Sequence, residues 1–162
     1  AHAIRKDVFE TIGGYRGQLW RQGEEGDLCI RMLDHGYVTA LGSAPPLEHM
    51  ESPKRSKPAI YRYTARNGLW FAWHNAPFPE VVAHVGGTSL KLLLDGVKKP
   101  SRLAPRLQGI GQGLIGMLGS ERSERRAVSK AAYRLSRRLR AGGPVALSAV
   151  EDRLQPLPAS RA

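Results

Sequence analysis

Three carboxylates fall within four residues in the segment Gly23-Glu24-Glu25-Gly26-Asp27. The segment follows a polar loop and precedes a stretch with helical periodicity, so the acids lie where a helix is predicted to begin. A carboxylate held at such a junction can accept a proton from an attacking hydroxyl, as a general base does. The alternative is a helix start that carries acids only because they complement the helix dipole.

Two further residues bear on this chemistry. Arg31 lies four positions after Asp27, the spacing at which two side chains of one helix form an ion pair. His49 follows a predicted strand, and a neutral imidazole can complete an oxygen-rich shell around Mg²⁺ or Mn²⁺. Such a cation would act as a Lewis acid. The alternative for His49 is a strand-end histidine that contacts only solvent. The other histidines are assigned structural or surface roles: His2, His35, His74 and His84.

Helices and strands are both predicted around these residues. Apolar residues recur at helical spacing over 6–12, which ends at Gly13-Gly14, and over 25–35, which ends at Gly36. The β-branched and aromatic stretch Tyr37 to Leu41 predicts a strand. Further helices are predicted over 61–74, 81–96, 103–118 and 121–141, a short strand over 1–5, and disorder over 142–162.

Charge is divided unevenly along the 162 residues. Residues 1–52 contain 5 Lys or Arg and 8 Asp or Glu, whereas residues 53–162 contain 20 and 6. A mildly acidic head is thus followed by a basic region, which is typical of contact with phosphates of a membrane surface or a nucleic acid. The single cysteine, Cys29, excludes an internal disulfide and a cysteine-based zinc site. The chain begins at Ala1 without an initiator Met, and we interpret it as a fragment.

Five landmarks occur in one order along residues 1–75. They are the segment 4–15 ending in Gly13-Gly14-Tyr15, the run from Gly23 to Arg31, Gly36-Tyr37, His49, and Arg66-Asn67-Gly68-Leu69-Trp70. The run from Gly23 to Arg31 is similar to a G-E-D-x-D-L-x-x-R helix start. Together the landmarks resemble the C-terminal half of a family-2, GT-A-type glycosyltransferase.

The resemblance implies an α/β, GT-A-like fold and an inverting transfer of a sugar from a nucleotide-diphospho-sugar to an acceptor hydroxyl. The general base of the family maps to Glu25, where this chain has Glu in place of Asp. Glu24 could share that role, and Asp27 is expected to cap the helix and orient the pair. Trp20 and Arg21, in the loop before the acids, are candidates for acceptor contact, although loop aromatics also commonly pack against the protein.

The Asp-x-Asp metal motif of the family is absent from this sequence. We therefore expect the nucleotide-binding half, which would hold most of the Mg²⁺ or Mn²⁺ shell, to be missing, and the isolated chain to be inactive. The expected division is a catalytic-base and acceptor region over 1–80, a basic helical extension over 81–141, and a disordered tail over 142–162.

The basic extension has three interpretations. Its helices could rest on the inner face of the plasma membrane, with arginines on anionic lipid phosphates, and meet a glycan or lipid-linked acceptor there. They could instead pack on the missing half with solvated arginines. Nucleic-acid binding is disfavoured, because aromatic residues are lacking among the arginines. A non-catalytic module that docks on a membrane or nucleic acid is the alternative to the enzyme.

Overall fold

A computed structural model describes residues 3–40, 42, 45, 48 and 56–154. Within those residues the chain is all helical and contains no strand. Six α-helices form it: α1 Lys6–Thr11, α2 Glu24–Asp34, α3 Lys57–Asn75, α4 Glu80–Lys98, α5 Leu103–Leu118 and α6 Lys130–Gly142. Short 3₁₀ turns lie at Gly17–Leu19, Pro100–Arg102, Leu147–Ala149 and Glu151–Arg153.

The predicted α/β, GT-A-like fold is therefore wrong for this chain. The stretch predicted as a strand is described from Tyr37 to Ala40, where it is neither strand nor helix, and residues 3–5 are likewise outside any strand. β-Branched residues favour a strand only where a neighbouring strand supplies hydrogen-bonding partners. No such neighbour exists among the described residues. Leu41, the last residue of the predicted strand, lies outside them.

Glycines end the first two helices as the sequence predicts. Gly13 and Gly36 have φ of 79° and 81°, the left-handed conformation that glycine adopts without strain. After α2, the amide of Tyr37 donates to the carbonyl of Met32 at 2.9 Å, and the amide of Gly36 donates to Leu33 at 3.2 Å. This pair of bonds is a Schellman motif, which satisfies the last carbonyls of the helix.

The long helix α3 packs against α4 and α5. Ala65 and Leu69 of α3 form one apolar cluster with Ile110 of α5. The glycines Gly109, Gly113 and Gly116 lie along the face of α5 that meets α3. A Cβ at Gly109 would overlap the carbonyl oxygen of Arg62, and a Cβ at Gly116 would lie 2.7 Å from the Trp70 ring. These glycines, which are costly in a free helix, allow the two backbones to approach closely.

The basic helix α6 begins at Lys130, nine residues later than predicted, because Ser129 caps it. The Ser129 hydroxyl accepts from the amide of Ala132 at 3.1 Å, and the Ser129 amide donates to Asp34 of α2 at 2.9 Å. The apolar face of α6, including Ala132, Tyr133 and Leu135, is buried. This face packs inside the protein, so it is not available to a lipid surface.

We predicted disorder over residues 142–162, but the structure describes a packed chain as far as residue 154. Val150 is buried and packs with Leu33 of α2 and Leu135 of α6, so this part of the chain closes one end of the core. Residues 155–162 lie outside the described part. None of the described helices has the length and apolar character needed to cross a membrane.

Candidate functional site

The two glutamates begin helix α2 as predicted, and they differ in environment. Gly23 precedes them with φ of 90°, which turns the loop into the helix. Glu24 is half-buried, and its buried Oε2 has no hydrogen-bond partner among the described residues. Glu25 is exposed. The structure thus gives one exposed and one partly desolvated carboxylate at adjacent positions.

Asp27 is fully buried and serves as a hydrogen-bond hub. Its Oδ1 accepts from Arg16 Nε at 3.0 Å and from Asn75 Nδ2 at 2.7 Å. Its Oδ2 accepts from Arg31 Nε at 2.9 Å. Because every one of these donors comes from the protein, Asp27 is placed to hold the start of α2 and not to contact a substrate. A side-chain cap on α2, the role expected for Asp27, is not observed.

Arg31 forms an ion pair with Asp27, one turn earlier on the same helix, with Nη2 2.8 Å from Oδ2. The same guanidinium donates to the carbonyls of Ile12 and Gly14, each at 2.6 Å. Arg31 therefore joins the end of α1 to the acidic helix. An arginine suits this role because its planar group offers several donors in fixed directions.

The loop before the acids is held by helix α3. Asn67 Nδ2 donates to the carbonyls of Leu19 at 3.2 Å and Gln22 at 2.8 Å. Arg66 Nη2 donates to the Gln18 carbonyl at 3.1 Å. Asn67 is buried, so its loss would leave loop carbonyls without partners. The Arg-Asn pair singled out in the sequence thus fixes the segment that leads into Glu24.

Trp20 and Arg21 occupy the tip of this loop. Trp20 is 57% exposed, although a large aromatic side chain is usually mostly buried. Its ring lies 5.7 Å from the Tyr63 ring, and the Arg21 guanidinium lies 5.4 Å from the Trp20 ring. Arg21 has φ of 76°, the left-handed conformation that side chains other than glycine seldom adopt. An exposed ring and a strained residue therefore sit immediately before the acid pair.

A cleft of about 870 Å³ opens beside the start of α2, between α3, α4 and α6. Of the acidic segment, only Gly23 and Gly26 line it, so the cleft does not contain the Glu24 or Glu25 side chains. Its charged and titratable lining residues are His84, Lys91, Asp95, Arg106, Arg137 and Arg140. From the sequence we assigned His84 a structural or surface role and left the α6 arginines to a membrane surface, to solvent or to nucleic acid. The sequence did not predict that His84 and these arginines would line one cleft.

His84 lies among cations in this cleft. Burial, followed by the positive charges of Arg137 and Arg140, lowers the pKa of His84 to about 4. Its Nδ1 is hydrogen-bonded to the Tyr133 hydroxyl at 2.8 Å. The imidazole is consequently neutral at pH 7, and the cationic character of the cleft comes from its lysine and arginines.

The predicted metal ligand His49 lies outside the described residues. Among those that are described, no group of three or more His, Cys, Asp or Glu side chains is arranged to hold a metal ion. Comparison with protein-family models, with characterised proteins and with solved structures finds no match for this chain.

Proposed function

We propose that this chain is the part of a glycosyltransferase that supplies the catalytic base and contacts the acceptor. The proposal rests on the motif residues and their placement, since the α/β fold has been excluded. The observation that carries it is the loop fixed by Asn67, which holds exposed Trp20 and strained Arg21 directly before Glu24 and Glu25. Strained backbone persists where surrounding contacts enforce it and is common in active sites.

In this proposal a glutamate at the start of α2 removes the proton of an acceptor hydroxyl. The acceptor oxygen then forms a bond to the anomeric carbon of the donor sugar, and the bond to the nucleoside diphosphate breaks with inversion. Glu25 is the primary base because it is exposed to an incoming acceptor. Glu24 is the second candidate, since its buried Oε2 has no partner among the described residues.

The neighbouring residues would support this step without reacting. Asp27 and Arg31 would act as positioning residues, because their buried ion pair fixes the helix that carries the base. The Trp20 ring would stack on a sugar of a glycan or lipid-linked acceptor, with Arg21 beside it. An aromatic face provides apolar contact area with little conformational entropy to lose.

The donor and its divalent cation, Mg²⁺ or Mn²⁺, would be bound mainly by a nucleotide-binding region outside this chain. The proposed site combines a base with an aromatic contact surface, and the described residues include no metal-binding cluster. We therefore expect the isolated chain to lack transfer activity and the protein that contains it to have activity.

The test is sugar transfer by that full-length protein, measured as nucleoside diphosphate release from a panel of UDP-, GDP- and TDP-sugars. Native lipid extract supplies acceptors, and Mn²⁺ or Mg²⁺ is added. Glu25→Gln should abolish most of the release, whereas Glu10→Gln, an exposed glutamate on α1, should not change it. If neither Glu25→Gln nor Glu24→Gln reduced nucleoside diphosphate release, neither glutamate would be the catalytic base.

A second candidate, peripheral docking on the inner face of the plasma membrane, is favoured by exposed apolar residues of α4 and α5. Ile115 and Leu118 of α5 are 74% and 81% exposed, and Leu94 and Val97 of α4 are also exposed. The two helices pack on each other, and Lys98 and Lys99 lie at the end of α4. Exposed apolar side chains and lysines are the features that bind the surface of an anionic bilayer.

Vesicle sedimentation tests this docking. The chain should bind vesicles that contain phosphatidylglycerol and not vesicles of phosphatidylcholine alone. Replacing Ile115 and Leu118 by Ser should reduce binding, whereas Val145→Ser, an exposed apolar residue outside α4 and α5, should not. Equal binding by all three proteins would exclude the α5 face as the docking surface.

A further inference from the structure

The cleft beside α2 has a charge imbalance that the proposed function does not use. Four cations line it, namely Lys91, Arg106, Arg137 and Arg140, against one acid, Asp95. Asp95 is already neutralised, because Arg102 lies 3.2 Å from its Oδ2 and Arg106 pairs with the same oxygen. The lining residues therefore include no further acid to neutralise the remaining positive charge of the cleft.

Three of the cations remain available to a ligand. Lys91, Arg137 and Arg140 form no salt bridge with any residue that the structure describes. Arg140 packs over the Phe71 ring at 5.7 Å, which directs one arginine along the cleft wall. Like charges collected around a concave surface repel one another, and a bound anion would relieve that repulsion.

The remaining lining fits the rest of a small phosphorylated molecule. Thr64 and Thr88 supply polar groups, and Phe71 and Leu92 supply apolar contact area. A volume of about 870 Å³ is in the range of small-molecule sites. A cleft that combines cations with apolar contact area has the features of a site for phosphate esters.

We infer that this cleft binds the phosphate or diphosphate group of a phosphorylated compound through Lys91, Arg137 and Arg140. The site is separate from the proposed base, since neither Glu24 nor Glu25 lines the cleft. Loss of the base would leave phosphate binding intact, and loss of these cations would leave the acid pair in place. The two proposals can therefore fail independently.

Inorganic pyrophosphate is the probe, titrated calorimetrically into the chain at low ionic strength. Saturable binding of one pyrophosphate per chain is expected. The double variant Arg137→Gln/Arg140→Gln should weaken it by at least about tenfold, which corresponds to losing one strong charge-assisted hydrogen bond. Arg138→Gln is the matched control, because Arg138 is an exposed arginine of α6 that does not line the cleft. Absence of saturable binding, or equal weakening by Arg138→Gln, would overturn the inference.

A second variant guards against a folding defect in the first. Lys91→Gln lies on α4 and leaves the Arg140–Phe71 contact untouched, and Lys98→Gln on the same helix is its control. Lys91→Gln should weaken pyrophosphate binding several-fold with an unchanged melting temperature. Equal affinities for the two lysine variants would contradict the assignment of Lys91.

The His84 imidazole gives an independent reading of where the anion binds. The charged groups that face it are Arg137 and Arg140 of α6, with the Tyr133 hydroxyl beside them, and the Phe71 ring of α3 is uncharged. Bound pyrophosphate should raise the pKa of His84 measured by NMR, because the anion offsets the arginine charges. An unchanged titration at saturating pyrophosphate would place the anion elsewhere and overturn the inference.

Vesicles that contain phosphatidic acid separate the two sources of the phosphate group. Displacement of pyrophosphate by these vesicles, and not by phosphatidylcholine vesicles, would assign the cleft to a lipid phosphate. Pyrophosphate binding that is unaffected by either vesicle would assign it to a soluble phosphate compound. Both results support the cleft as a phosphate site.

Discussion

Asn75 of α3 donates a hydrogen bond of 2.7 Å to Asp27 of α2, although the two residues are 48 positions apart. Both side chains are fully buried. The bond connects the acidic helix to the long helix on which α4 and α5 pack. It also completes a set of donors to Asp27 that includes Arg16 and Arg31. The start of α2 is consequently fixed by the protein interior.

Replacing Asp27 by Ala should be strongly destabilising. The change removes the carboxylate that pairs with the buried guanidinium of Arg31 and one of the two acceptors of the Asn75 amide. Loss of one partner of a buried ion pair costs about 3–5 kcal/mol. Urea denaturation measures the loss. The control is Asp7→Ala, which removes an exposed ion pair with Arg5 and should leave the midpoint unchanged. Equal midpoints for the two variants would show that the Asp27 hub does not stabilise the fold.

Two glycines of α5 should respond to alanine with opposite signs. At Gly109 a Cβ would overlap the Arg62 carbonyl and force α5 away from α3, so Gly109→Ala should destabilise by about 1–3 kcal/mol. At Gly111 no atom lies within 4 Å of the added Cβ, so Gly111→Ala should stabilise by about 1 kcal/mol through helix propensity. Thermal melting compares them, and destabilisation by both would argue against the described crossing of α3 and α5.

His84 should make stability fall in mild acid. Its pKa is about 4 in the folded chain and near 6.5 when unfolded, so the unfolded state binds more protons between these values. The stabilising effect of a neutral His84 is fully present above pH 6.5 and is lost as the pH falls towards 4, by up to about 3 kcal/mol. Burial also lowers the pKa of His74, which acts in the same direction.

The variant His84→Gln separates the contribution of His84 to this pH dependence from that of His74. Its free energy of unfolding should depend less on pH between 6.5 and 4 than that of the natural chain. Urea titrations at a series of pH values give the comparison. A pH dependence identical in the two proteins would mean that His84 is not held neutral in the cleft.

Arg21→Gly should stabilise the chain and weaken acceptor binding at the same time. Glycine adopts a φ of 76° without strain, so relief of strain should raise the free energy of unfolding by about 1 kcal/mol. The guanidinium next to Trp20 is lost, so the KM for acceptor should rise in the full-length protein. A lower melting temperature with unchanged KM would mean that Arg21 serves the fold alone.

The sequence predicted the local features of this chain better than its fold class. The ends of α1 and α2 could be predicted from Gly13 and Gly36, because glycine readily adopts the left-handed conformation that ends a helix. This preference depends only on the local sequence. The predicted strand at Tyr37 was wrong, because a strand needs a neighbouring strand to hydrogen-bond with, and the local sequence does not show whether one is present. The start of α6 was placed too early because its cap at Ser129 is reinforced by Asp34, which is distant in the chain.

In the candidate site, too, the local features could be predicted from the sequence and the long-range contacts could not. Glu24 and Glu25 lie at a helix start as their spacing indicates, whereas the hub around Asp27 depends on Arg16 and Asn75, which only folding brings together. The cationic cleft was missed for the same reason. The residues that form it are distributed over five helices, α2 to α6.

The turnover number of the Glu25→Gln variant in the full-length protein tests the central claim most directly. Removal of a general base should lower kcat by about 10²- to 10⁴-fold. The KM for the nucleotide-sugar should stay unchanged, because we propose that the donor is bound outside this segment. Glu10→Gln should retain the natural kcat. A kcat for Glu25→Gln, and for the double variant with Glu24→Gln, equal to that of the natural protein would contradict the account.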